Sequence, residues 1–393
     1  MGNTRPTFLE FFAGGGMARA GLGEGWYCAF ANDVDDMKVA AYRANWGADD
    51  MHPGDVGQLA LDDLPDGVTD LAWASFPCQD LSLAGDYRGL GRESDDATTR
   101  SGTFWAFWKL MRGLRADGRP PRTIVLENVY GALTSRAGKD FAAIGAALAS
   151  EDYRFGAVVI NAAHFVPQSR PRVFFIAVHR SEGLPLPLSQ DGPHADWHPP
   201  ALVAAQAGMT RTARAAWLWW NIPRPAARNV GFADVIEDQP TGVSWDSPAR
   251  TQRLIDLMSD VHRAKLAAAQ GSGQRMVGGV YRRTRVEQEG IKRQRAEVRF
   301  DDVAGCLRTP GGGSSRQSIL VVEGPHIRSR LLSPREAARL MGLSDAYALP
   351  ARYNDAYHLC GDGVCAPVVR HIAQHILEPV LAASRALPRA AAE

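Results

Sequence analysis

Short apolar runs recur through the first 180 residues of the chain, and helix-compatible stretches lie between most of them. The runs are residues 7–12, 26–31, Asp70–Ser75, Thr123–Leu126, Gly156–Ile160 and Arg172–Val178. Helical patterning covers Val34–Asn45, Thr103–Leu114 and Lys139–Ser150. Strands apolar on both faces, alternating with helices, demand burial from both sides. That pattern predicts an α/β fold built on a mostly parallel sheet.

The alternation stops near residue 180. Leu184 to Pro200 is proline-rich, which breaks helix and strand alike, and a boundary is expected there. Residues 201–322 differ in character. They hold Trp217, Trp219 and Trp220, expected in the core, and a basic stretch from Tyr281 to Arg299. At Ser333-Pro-Arg-Glu336 a helix start returns, with serine as cap, proline at the first position and glutamate at the third. A last helix is expected over Pro367–Leu381, packing back on the first domain.

Charge is balanced, with 44 basic and 43 acidic residues, so contact with nucleic acid would need a local basic face. Five cysteines without close Cys-x-x-Cys pairs argue against a disulfide framework and a cysteine zinc site. No apolar run reaches the roughly 18 residues of a bilayer span, and no secretory leader is evident. A cytoplasmic protein is therefore expected.

Two groups of residues carry chemistry. The first run ends in Ala13-Gly14-Gly15-Gly16 before a helix, as a nucleotide-type ligand needs. Asp33, 19 residues after Gly14, stands where an acid meets a ribose, and Asp55 follows a further helix. The glycine spacing is not that of a dinucleotide enzyme, and a plain glycine turn with a helix-capping aspartate is the alternative. In the second group, Cys78 follows a strand-like run in Phe76-Pro-Cys-Gln79, Glu127 ends another, and Gln168-x-Arg170-x-Arg172 precedes a third. Each residue alone reads equally as a buried thiol, a cap or a solvated strand entry. Their order along one sheet edge favours covalent catalysis.

The chain resembles the DNA (cytosine-5) methyltransferase family. The likeness runs through Phe12–Gly16, Asn32-Asp33, Gly54-Asp55-Val56, Phe76–Gln79, Glu127-Asn-Val129 and Gln168-x-Arg170-x-Arg172. It continues through Leu332–Glu336 with Arg339–Gly342, and Gly361–Val364. It covers about residues 7–180 and 300–380 in the family's order.

The resemblance implies a Rossmann-like S-adenosylmethionine-dependent domain over 1–184 plus 325–393, and a smaller target-recognition domain over 185–324. Cys78 is implied to attack cytosine carbon 6, Glu127 to hold or protonate ring nitrogen 3, and Arg172 to bind the base's carbonyl oxygen. Arg170 is implied to orient the site and favour the thiolate, with Gln168 beside it. The cofactor is expected at Phe12, Ala13, Gly14, Gly15, Gly16, Asp33, Val34, Asp55, Val56, Pro77, Asp362 and Val364, with no metal. Duplex DNA is the expected partner, touched by Ser82, Arg100, Arg282, Arg283, Arg285 and Arg308. A separately acting restriction endonuclease and a monomeric state are further expectations.

Three departures stand out: Asp33 replaces the more usual glutamate, Cys306 a threonine, and Asp362 an asparagine. The rival readings are an RNA cytosine-5 methyltransferase and a DNA-binding regulator on the same scaffold.

Overall fold

The computed structural model describes residues 5–77, 103–286, 290, 292–309 and 316–386. The chain divides into two compact units. Unit 1 comprises Met1–Asn161, Pro171–Pro225 and Ala366–Glu393; unit 2 comprises Ala162–Arg170 and Ala226–Cys365.

Unit 1 is built on a seven-stranded sheet. Its strands are β1 (Thr7–Phe11), β2 (Tyr27–Asp33), β3 (Met51–Pro53), β4 (Leu71–Ala74), β5 (Thr123–Val129), β6 (Tyr153–Asn161) and β7 (Pro171–His179). They lie in the order β3-β2-β1-β4-β5-β7-β6. The first five pair in parallel, while β7 runs antiparallel to both β5 and β6. The mostly parallel expectation therefore describes the glycine side of the sheet, and the last two strands form an antiparallel edge.

Helices α1 (Met17–Leu22), α2 (Asp36–Trp46), α3 (Thr103–Ala116) and α4 (Lys139–Ser150) follow or precede these strands. On α3, Phe104, Phe107, Trp108, Met111 and Leu114 recur at helical spacing and are buried. This stripe packs on Leu9, Phe11, Ala72 and Ala74, and Phe11 meets Phe107 at 5.1 Å between ring centroids. The alternate strand residues Phe8, Cys28 and Trp73 are also buried. Both faces of the sheet are thus covered, as apolar strands require. α2 begins two residues later than the sequence suggested, because the Asp35 side chain caps it by accepting from the N–H groups of Met37 and Lys38.

Residues 185–225 belong to unit 1. They carry a short strand β8 (Ser189–Gln190), helices α5 (Pro200–Ala207) and α6 (Arg211–Ala215), and a short strand β9 (Trp219–Trp220). The Phe155 N–H donates to Ala216 O at 2.9 Å and the Leu218 N–H to Phe155 O at 2.6 Å, so this segment pairs with the outer edge of β6 at Phe155. Trp197 and Trp220 are buried, their indole N–H groups donating to Ile222 O and Ile176 O. The prolines break regular structure without breaking the core.

Unit 2 contains α7 (Pro248–Asp256) and α8 (Asp260–Gly271), then β10 (Arg275–Val286), β11 (Lys292–Arg299), β12 (Ser318–Glu323) and β13 (His326–Leu331). These strands form an antiparallel sheet in the order β11-β10-β12-β13. Val280, Ala296, Val298 and Leu320 pack against Leu266 and Ala269 of α8. Helices α9 (Pro334–Leu340) and α10 (Tyr353–Asp362) complete it. The expected cap is present: Ser333 Oγ accepts from the Glu336 N–H and the Glu336 carboxylate from the Ser333 N–H. Residues 325–365, expected with the first domain, group with unit 2 by their contacts. The chain rejoins unit 1 in α11 (Ala366–Ile372), which continues through a π turn into α12 (Glu378–Ala386). α11 lies on α1 at Gly21, where a Cβ would clash with Val369. No helix of the described residues is long and apolar enough to cross a membrane.

Candidate active site

The strand ends of β1 and β2 build the glycine turn. Phe12, Gly14 and Gly16 all have positive φ, at 56°, 56° and 76°. The turn is held from both sides. In front, the Asp33 carboxylate accepts from the N–H groups of Gly14 at 2.8 Å and Asp35 at 2.9 Å. The Ala13 N–H donates to Asn32 O at 2.9 Å. Behind, the Trp46 indole N–H donates to Gly15 O at 3.0 Å, and a Cβ on Gly16 would overlap that indole. Sequence reasoning missed Trp46, because it stands 31 residues from the glycine it supports.

Beside the turn, Val34 is 69% exposed at the end of β2, an apolar side chain where solvated loops favour polar ones. Asn32 ties the β2 and β3 ends together, donating to His52 O and Gly54 O at 2.9 Å each. Asp55 is exposed and caps the turn that follows by accepting from the Gly57 N–H at 2.8 Å; Val56 beneath it is buried.

Of the base-handling residues expected in unit 1, Glu127 and Arg172 meet where β5 ends and β7 begins. Glu127 and Arg172 form an ion pair at 3.1 Å, with side chains 8% and 14% exposed. Antiparallel pairing makes this possible: Val129 lies opposite Arg172, which brings the start of β7 to the end of β5. Asn128 donates to Phe76 O at 3.2 Å and so fixes the segment Ser75–Pro77 that runs into Cys78. Its motif was noted in the sequence, but this clamp was not legible there. Cys78, Ser82 and Arg100 lie outside the described residues.

Gln168 and Arg170 belong to unit 2. Gln168 is fully buried; its amide donates to Leu340 O at 2.7 Å and accepts from the Leu307 N–H at 3.1 Å. Arg170 is 2% exposed and donates to the carbonyls of Leu307, Gly361 and Gly363 at 3.1, 2.8 and 2.7 Å. Cys306, at the departure from threonine, has its sulfur 3.5 Å from Arg170 Nη1. Asp362 pairs with His358 at 2.9 Å and accepts from the Thr309 hydroxyl, while Val364 is buried. The expected cofactor residues thus divide: Phe12 to Pro77 in unit 1, Asp362 and Val364 in unit 2. Among the described residues no cluster of three or more His, Cys, Asp or Glu side chains has metal-binding geometry.

The basic run forms the β10–β11 hairpin, and its faces separate the arginines. Arg283 stands opposite Arg295 and Arg285 opposite Arg293, all on the face of Tyr281 and Glu297. Glu297 pairs with both Arg283 and Arg285. Arg282 lies on the other face, in a cleft with Arg250 and Arg253 of α7. Arg308 is exposed.

A glycine turn braced by an acid, and a carboxylate–guanidinium pair beside a strand that leads to a cysteine, are what a methyl-transfer site on a pyrimidine needs. The sequence profile of the C-5 cytosine-specific DNA methylase family matches residues 6–378, and the chain belongs to that family. It is a DNA cytosine-5 methyltransferase. Among its relatives, the type II methyltransferase M.NlaX of Neisseria lactamica is 24% identical over 96% of this chain and 97% of its own. M.HhaI of Haemophilus parahaemolyticus is 23% identical over 94% and 93%. The methyltransferase EhMeth of Entamoeba histolytica shares the fold with a TM-score of 0.61 at 13% identity, covering 96% of this chain and 99% of its own. The S. pombe Dnmt2 methyltransferase does so at 0.57 and 16%, covering 95% and 99%.

Proposed function

We propose that this enzyme methylates a flipped cytosine within a specific duplex sequence through a covalent Cys78 intermediate. The observation that carries the reading is the Glu127–Arg172 pair at the strand ends beside Phe76-Pro77. Cytosine carbon 5 is a weak nucleophile. Bond formation between the Cys78 thiolate and carbon 6 moves the ring electrons toward carbon 5 and nitrogen 3. A proton taken up from solvent and shared between the Glu127 carboxylate and nitrogen 3 offsets that charge, while Arg172 donates to the carbonyl oxygen. Their mutual ion pair orients both side chains before a base arrives. Loss of the carbon-5 proton and expulsion of Cys78 then restore the aromatic ring. A base inside a duplex cannot reach such a site, so it must leave the stack.

S-adenosylmethionine supplies the methyl group as an electrophilic sulfonium. The residues present fit it. The positive-φ glycine turn admits close approach, Asp33 retains acceptor capacity for ribose hydroxyls, exposed Val34 offers an apolar face to adenine, and Asp55 an acceptor for its amine. Asp362 and Val364 are further proposed cofactor contacts. The hairpin arginines, Arg308, Ser82 and Arg100 are proposed DNA contacts. The likeness to type II methyltransferases supports a restriction–modification setting. A prokaryotic cytoplasm, a monomeric state and a separate endonuclease complete the proposed reading.

The test is covalent trapping. The parent enzyme, given cofactor, should form a denaturation-resistant adduct with duplex DNA carrying 5-fluorocytosine at the target, because fluorine cannot leave as a cation. Cys78→Ala should form none. An adduct that persists in Cys78→Ala moves the nucleophile elsewhere.

A further inference from the structure

Within unit 2, residues 304–307 are gripped from two sides. On one side stands the Gln168-x-Arg170 segment. Ala304 bridges Gln168; the Ala304 N–H donates to Pro167 O at 2.8 Å and the Ser169 N–H to Ala304 O at 2.9 Å. The Leu307 N–H meets the Gln168 side chain, and the Leu307 carbonyl accepts from Arg170. On the other side stands Tyr281 of β10. A Cβ on residue 305 would overlap the Tyr281 hydroxyl and press on its ring, so a larger residue there must displace the tyrosine. Tyr281 shares its hairpin face with Arg283, whose guanidinium lies 5.7 Å from the Tyr281 ring centroid, and with Arg285.

We propose that Tyr281 is a positioning residue that couples the arginine hairpin to the catalytic arginine. The path is short: hairpin, Tyr281, Gly305, then Leu307 with Gln168 and Arg170. The next residue, Pro171, begins β7, the strand that carries Arg172. A shift of the hairpin pushes the tyrosine ring on the 304–307 segment, and that segment sets the backbone entering β7. The inference rests on the proposed roles of the hairpin and of Arg172. It adds that one aromatic contact within unit 2 bears on the backbone that leads into the strand carrying Arg172.

The experiment is single-turnover methylation at saturating cofactor, alongside equilibrium DNA binding. The probe is a duplex carrying the site that bisulfite mapping of DNA from expressing cells defines. Tyr281→Ala should slow methyl transfer about tenfold to a hundredfold, the cost of misplacing a catalytic group from a distance. Its affinity for the duplex should stay within about threefold of the parent, since binding and chemistry are separable readouts. Tyr281→Phe, which keeps the ring, should recover most of the rate. Gly305→Ala tests the same contact from the other side and should slow transfer too. The double variant Tyr281→Ala/Gly305→Ala should be no slower than the worse single one. An unchanged rate in folded Tyr281→Ala or Gly305→Ala overturns the coupling. So does a loss of affinity with the saturated rate intact, which makes Tyr281 part of the DNA surface alone. A parent enzyme that methylates no DNA would instead sink the proposed function.

Discussion

Two arginines stand two positions apart in Gln168-x-Arg170-x-Arg172, and their surroundings differ completely. Arg172 faces the Glu127 carboxylate at the sheet edge. The Arg170 guanidinium is buried and donates to three main-chain carbonyls of unit 2. A fixed fork of donors is well matched to that task, and a shorter list of donors is not. Arg170→Met should therefore strand those carbonyls at about 1–3 kcal/mol each and lower the thermal midpoint markedly. Arg172→Met should leave the midpoint nearly unchanged and cut the single-turnover rate about a hundredfold to a thousandfold, as for loss of one preorganised donor. The two variants are compared by calorimetry and by methyl transfer. Equal midpoints would show that Arg170 acts in the chemistry rather than in holding Leu307, Gly361 and Gly363.

Among the elements, the β10–β11 hairpin carries the sharpest consequence of alternation along a strand. Arg283, Arg285, Arg293 and Arg295 share one face, with like charges directly opposed, an arrangement that an approaching phosphate stabilises. Replacing Arg283 and Arg285 together by glutamine should weaken binding to all duplexes and flatten the salt dependence by about one unit per lost contact. Arg282→Gln should do less, because Arg282 faces α7. Titrations at several salt concentrations decide it; an equal loss from Arg282→Gln alone would place DNA on the α7 side. The sequence pointed to the basic run, but not to which of its arginines share a face. Strands β1, β2, β4 and β5 were legible because each is a local apolar run. The tie between 304–307 and Gln168, and the support of Gly15 by Trp46, were not, because hydrogen bonds between distant residues leave no local pattern. The grouping of 185–225 with unit 1 and of 325–365 with unit 2 was not legible for a related reason: proline marks where regular structure ends, not which residues pack together.

At the scale of the whole molecule, one buried acid ties stability to pH. Glu10 lies on β1 and is 1% exposed. Burial pushes its carboxyl up to about 8, against the pull of the Arg19 guanidinium and the N–H groups of Arg19 and Ala18; nearby Asp50 raises it further. Burial also pushes the neighbouring Cys28 thiol up to about 12 and the Tyr42 hydroxyl above its usual range. Near pH 7 the cluster thus holds an ion pair between Arg19 and Asp50, with Glu10 neutral beside it. The unfolded chain ionises Glu10 near the ordinary carboxylate value, and the folded chain does not until about pH 8. Between those values the folded state binds more protons, so the Glu10 contribution falls as pH rises and levels off above pH 8. Glu10→Gln keeps the shape and removes the titration. The variant should match the parent near pH 4.5 and exceed it increasingly up to about pH 8, by on the order of a few kcal/mol. Denaturant unfolding of both proteins at matched pH values measures the gap directly. Parallel stability curves would mean that Glu10 ionises alike in the folded and unfolded chains, with Arg19 compensating its charge.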